Sequence, residues 1–130
     1  MTAHKGRSLE IPGVSHGNAP IPMGARVGNM IFSSGIMGKD PATNELPADV
    51  ELQAKFAFEN MLALLKAGGA SLGNLARMTV FIKNETARPA VNAQWLKFFP
   101  DPHDRPARHT LVYDLPGGML LQLEIVAVVS

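Results

Sequence analysis

The chain reads as an α+β sandwich in which a mixed β-sheet carries two helices on one face. Three observations predict this: the elements run strands, helix, strand, helix, hairpin; each helical segment has one apolar side; and the closing strand is apolar on both faces. At 130 residues the chain is a single domain, long enough to bury a core without metal or disulfide staples.

Hydrophobic residues make up 46% of the chain and charged residues 18%, and this shortage of surface charge points to surface buried between copies. Twelve Lys and Arg against eleven Asp and Glu give a net charge of +1, with no basic run. Electrostatic binding of nucleic acid has little support. Cysteine is absent, which removes a disulfide framework and a thiol nucleophile. The opening MTAHKGRSLEIPG has no apolar core of signal-peptide length, and no apolar run approaches the ~20 residues of a membrane span. A soluble cytoplasmic protein is the expectation, with an organellar location left open.

Taken in order, residues 1–15 mix charge, Gly and Pro and read as a loosely held arm or edge strand. His16 to Met23 has prolines on both sides of Ile21, which force an extended loop with few ladder donors. Val27 to Ser34 reads as a first central strand ending at Ser33-Ser34-Gly35, where Gly35 lets a ligand approach or the backbone bend and Ser34 adds a hydroxyl. A plain turn or bulge is the competing reading of that strand end. Lys39 to Glu45 is a polar turn.

Asp49 is a good N-cap for a helix that runs to Lys66 and stops at Gly68-Gly69. Ala54, Phe58, Met61 and Leu65, with Ala57, Leu62 and Leu64 beside them, form its apolar stripe. Asn74 to Lys83 reads as a strand entering the sheet interior. A second helix fits Ala87 to Phe99, with Val91, Trp95, Phe98 and Phe99 on one side, and residues 100–106 form an irregular connector.

The last segment, Arg108 to Val129, reads as a β-hairpin reversing at Asp114 to Gly118. With the turn centred on Pro116, Tyr113 faces Met119, Leu111 faces Leu121 and Arg108 faces Glu124. Opposed residues have Cβ atoms roughly 5 Å apart, so the two charges form either a structural salt bridge or a site in which the guanidinium grips a carboxylate and Glu124 handles a water. The hairpin leaves both open.

His4, His16, His103 and His109 lack metal-ligand spacing, and of these only His16 and His109 lie near that pair. His109 reads first as a packing or interface residue. Gly68-Gly69 and Gly117-Gly118 follow cap and turn logic, so no phosphate loop and no nucleotide cofactor are implied. Ser33 and Ser34 become nucleophiles only beside a base.

Several of these stretches resemble the reactive-intermediate deaminase (Rid) superfamily, also called the endoribonuclease L-PSP family: Asn29 with Ile31 to Gly35, Glu59-Asn60, Val91 to Phe99, Pro106-Ala-Arg108 and Leu123-Glu-Ile125. The most specific piece is Pro-Ala-Arg followed, after an apolar strand and turn, by Leu-Glu-Ile. The resemblance implies a chorismate-mutase-like fold, a homotrimer with clefts between subunits, and hydrolysis of 2-imino acids to 2-oxo acids and ammonia without metal or cofactor. It assigns the substrate carboxylate to Arg108 and the hydrolytic water to Glu124, with Ser34, Gly35, Thr110 and Ile21 lining the cleft. Two positions depart from the family pattern. The cleft tyrosine of well-studied members falls at Ile21, and the cysteine two places after the arginine is Thr110. His109 replaces a residue that is usually small. A non-catalytic ligand-binding or chaperone-like trimer, an RNA-cleaving protein and a deaminase of an aminomuconate-type intermediate are the rival readings.

Overall fold

One mixed seven-stranded sheet organises the computed structural model, which describes residues 6–130. Its strands are β1 (Ser8–Leu9), β2 (Gly24–Val27), β3 (Met30–Ser33), β4 (Ile36–Met37), β5 (Leu75–Ile82), β6 (Ala107–Val112) and β7 (Leu121–Val128). They lie in the order β1-β2-β3-β7-β5-β6, and β4 continues beside β7 past the end of β3. All pairings are antiparallel except β5 with β6. Helices α1 (Val50–Ala67) and α2 (Arg88–Phe98) cover the face that carries Ile31, Met78, Val80, Leu121, Leu123 and Ile125, all buried. The expected α+β architecture is therefore present.

Local chemistry sets the helix ends. The Asp49 side chain accepts the Leu52 N–H at 3.3 Å, the Gly68 N–H donates to the carbonyls of Leu64 and Leu65, and the Gly69 N–H donates to that of Lys66, so α1 begins and ends where its capping residues predict. Glu51 in the first turn and Lys66 in the last complement the helix dipole. Leu62, expected in the apolar stripe, is instead 38% exposed; the stripe curves past it through Ala54, Ala57, Phe58, Met61, Leu64 and Leu65. Two amides occupy the same side of α1, seven residues apart. Gln53 Nε2 donates to the carbonyls of Pro47 and Gly118 while its Oε1 accepts the Leu120 N–H, and Asn60 Nδ2 donates to the carbonyls of Met37 and Lys39. Both are buried, and both tie the helix to backbone carbonyls at strand ends and in loops.

Near the start, the strand expected over Val27 to Ser34 is a hairpin, with β2 and β3 reversing at Gly28-Asn29. Residues 1–5 of the expected arm lie outside the described residues. Ser8–Leu9 forms the edge strand β1, and Ile11 and Val14 are buried in the core, so this part is not loosely held.

The closing hairpin is corrected by the structure. β5 lies between β6 and β7: Thr79 pairs with His109 on one side and with Glu124 on the other. A direct β6–β7 hairpin would leave β5, with Leu75, Met78, Val80 and Ile82 buried, short of a backbone partner on one side; insertion supplies both. The residues read as a tight turn instead arch over the end of β5. There Gly117 and Gly118 both take positive φ (67° and 81°), and the Met119 N–H donates to Pro116 O at 3.2 Å. Lys83 Nζ holds the arch through Asp114 Oδ1 (2.8 Å) and Leu115 O (2.7 Å).

Asn60→Ala removes both donors and orphans one buried and one partly buried carbonyl, and it should lower stability by about 1–3 kcal/mol. Leu62→Ala, on the exposed side of the same helix, should stay within about 0.5 kcal/mol. Chemical denaturation of the two variants makes the comparison, and equal losses would refute the role given to Asn60.

Candidate active site

The sequence-predicted residues form two groups. The first gathers where β3 leaves β7. Phe32 pairs with Val126 and Ile36 with Leu123, so Ser33, Ser34 and Gly35 oppose only Glu124 and Ile125, and the extra residue makes a bulge beside Glu124. Ser33 Oγ takes the Ile125 N–H at 2.8 Å in place of a ladder carbonyl. Ser34 Oγ donates to Pro22 O at 2.7 Å, and its N–H donates to Met23 O at 2.9 Å, which brings the Pro20-Ile21-Pro22 loop beside the bulge. Ile21 stands half-exposed there. A Cβ at Gly35 would overlap the Gln122 amide, so the backbone is bare because that side chain lies on it. Bulge, loop, Gln122 and Glu124 form one patch.

The second group lies on β6, the edge strand. Arg108 Nε donates to Thr110 Oγ1 at 2.9 Å, and the guanidinium carbon sits 5.1 Å from the centre of the Trp95 ring on α2. Among the described residues no carboxylate lies within ion-pair distance of Arg108. Burial first, and the Arg88 guanidinium second, lower its pKa from the usual arginine value. Arginine starts so far above neutrality that the group remains a cation. Arg88 itself is held in two contacts by Glu85. Arg108 is thus a half-buried cation without an anionic partner, the arrangement that receives an anionic ligand.

Arg108 and Glu124 do not face each other, contrary to the hairpin reading. Arg108 shares a register row with Met78 and Ile125, both buried under the helices, whereas Glu124 shares one with Thr79 and His109 on the opposite face. With β5 between them, their strands are about 10 Å apart, and their side chains diverge. The second face of the last strand, apolar in the sequence, is not covered by the chain: Glu124 and Val128 are exposed, and Met30, Phe32 and Val27 extend the same uncovered face.

Residues 19–129 match the family model described as Endoribonuclease L-PSP. The chain belongs to that family. It is 36% identical over 111 residues to the 2-iminobutanoate/2-iminopropanoate deaminase of Escherichia coli K12, covering 84% of this chain and 87% of that protein. To TdcF of the same strain, named as a candidate reactive intermediate deaminase, it is 38% identical over 114 residues, 85% of this chain and 88% of the other. The crystal structure of E. coli TdcF with bound serine superposes with a TM-score of 0.85 at 32% identity, over 95% of this chain and 99% of that one.

Two positions in this L-PSP family chain escaped the sequence reading as parts of a site. From the sequence Trp95 reads only as part of an apolar helix side, and Gln122 gives no signal of its own. A right-handed crossover from β5 through α2 to a parallel β6 would have set α2 over β6 and Trp95 beside Arg108. Nothing in the sequence marks Gln122 as the lid on Gly35.

His16 sits in the loop that carries Ile21. Its Nε2 is buried with no hydrogen-bond partner, and burial followed by Lys39 pulls its pKa below 6.5, against a smaller opposing effect of Glu10. The folded state favours neutral imidazole, so the unfolded chain takes the proton first as pH falls. The His16 contribution is intact above pH 6.5 and is lost as pH drops through the lowered folded value. Thermal midpoints should decline on acidification below 6.5, less steeply in His16→Leu; parallel curves for the two proteins would exclude this assignment.

Proposed function

We propose that this protein hydrolyses small 2-imino acids to 2-oxo acids and ammonia, in a site shared between subunits of a homotrimer. The observation that carries this reading is the half-buried Arg108 guanidinium, oriented by Thr110 and Trp95 and lacking an anionic partner. The named deaminase relative and the serine-bound TdcF structure add support, since serine also bears a carboxylate next to a nitrogen-bearing carbon.

Arg108 of one subunit clamps the substrate carboxylate, with Thr110 beside it. Glu124 of the neighbour, with Ser34, Gly35 and Ile21 around it, faces C2 of the imine. The two groups lie on opposite faces of each chain, so a ring of copies is the simplest way to bring them together. Water adds through oxygen to C2 as Glu124 accepts one of its protons, and the C=N electron pair moves to nitrogen, which takes that proton. In the resulting carbinolamine the hydroxyl proton passes through the same carboxylate to nitrogen as the C2–N bond breaks. Ammonia leaves, and the 2-oxo acid remains. Fixing the carboxylate and placing the water supply most of the catalysis.

The non-catalytic reading draws on the uncovered apolar face at Val27, Met30, Phe32 and Val128, which suits a ligand- or client-binding trimer. It predicts binding unaffected by Glu124→Gln and no turnover.

An amino-acid oxidase that generates the imine in the assay should show faster ammonia release with this protein. Glu124→Gln should slow the reaction roughly 10²- to 10⁴-fold, the range for a lost general base, and Arg108→Ala should be similarly damaged. Mixing the two inactive variants under subunit exchange should restore part of the activity, because some interfaces then combine an intact Arg108 with an intact Glu124. A site contained in one chain gives no such recovery.

A further inference from the structure

We infer that Trp95 and Thr110 are positioning residues for Arg108, which together leave only its two Nη groups for the ligand, so that the site takes a single carboxylate end-on. This rests on the reading of Arg108 as the carboxylate clamp. Arginine has five N–H donors in one plane and can grip a carboxylate from the Nε side or from the Nη end. Here Nε is occupied by Thr110 Oγ1 at 2.9 Å, and the indole of Trp95 lies against the guanidinium with its ring centre 5.1 Å from the central carbon. The Nε side is closed, and rotation is checked by the ring.

Trp95 is itself braced. Its ring packs on Phe99 with centroids 4.9 Å apart, Phe99 meets Phe98 at 6.5 Å, and Phe98 meets the fully buried Phe58 of α1 at 5.3 Å. An aromatic chain runs from the centre of the core to the guanidinium, so the orientation of Arg108 is backed by packing rather than by a flexible contact. Among the described residues no carboxylate takes this role. Neutral partners hold the group in place while leaving its charge for the ligand.

Trp95 is the only tryptophan in the sequence, so its emission reports directly on the guanidinium. Titration of the intact protein with 2-oxobutanoate should change that emission saturably, and Arg108→Ala should abolish the change. Trp95→Leu should raise KM and weaken 2-oxobutanoate binding measured by calorimetry by roughly 3- to 30-fold, the range for a partly desolvated cation–π contact, with a much smaller effect on kcat. Trp95→Phe, which keeps a ring against Phe99, should recover most of the loss. Thr110→Val should likewise weaken binding, and Thr110→Ser should restore it. Unchanged binding in Trp95→Leu and Thr110→Val, or calorimetric binding with silent emission, overturns the inference. An emission response without imine turnover supports the positioning of Arg108 while defeating the deaminase reading.

Discussion

The placement of β5 between β6 and β7 is the constraint on which the rest of this structure depends. It gives an apolar strand hydrogen-bonded neighbours on both sides, and it makes β6 parallel to β5. Parallel neighbours need a crossover, and α2 is that crossover. The helix therefore lies against the face of β6 that carries Arg108 and Thr110, and its aromatic side reaches the guanidinium. The same insertion sends Glu124 to the other face, in a row with Thr79 and His109. One pairing choice thus decides both what surrounds the cation and what is kept away from it.

The arch from β6 to β7 is the cost of that choice, since it leaves backbone groups outside any ladder. Lys83 and Gln53 answer for them, the first at the end of β5 and the second from the buried side of α1. Asn60 does the same for the carbonyls of Met37, at the end of β4, and Lys39 beyond it. Buried amides are tolerated here because each makes at least two hydrogen bonds; a half-satisfied amide in the same place would destabilise the fold. At the bulge Ser33 substitutes a hydroxyl for a carbonyl, which frees Ser34 to hold the Ile21 loop.

Elements governed by local chemistry were legible in the sequence. Asp49 and Gly68 bound α1 as capping rules require, and the second helix and β5 fall within a residue or two of their apolar patterns. The β2–β3 hairpin is not legible in the same way: the span Val27 to Ser34 reads as one strand, yet Gly28 takes a positive φ and the chain reverses there. The larger error, pairing Arg108 with Glu124, came from treating two strands adjacent in sequence as adjacent in space. Register follows from turn geometry only when the connection is tight, and the Gly117-Gly118 turn is one bend within a longer arch. The candidate site residues come from motif resemblance, which carries no information on their tertiary partners. Thr110 and Trp95 touch Arg108 through tertiary packing, and only the former lies near it in sequence.

On the shared-site proposal, stability and chemistry come from one interface. The face carrying Glu124 also exposes Val27 at 61%, Phe32 at 44% and Val128 at 40%, an apolar surface costly to leave in water. A copy that covers it gains the burial, and it also strips water from a carboxylate that has no ion-pair partner among the described residues. An isolated buried carboxylate is expensive unless donors or an ordered water meet it. A cleft left at that interface, with the neighbour's Arg108 on one wall, meets the requirement with a water on Glu124 and an anionic ligand on the guanidinium. The polar residues of the cleft then keep the interface from closing completely, and the apolar residues around them keep it from opening.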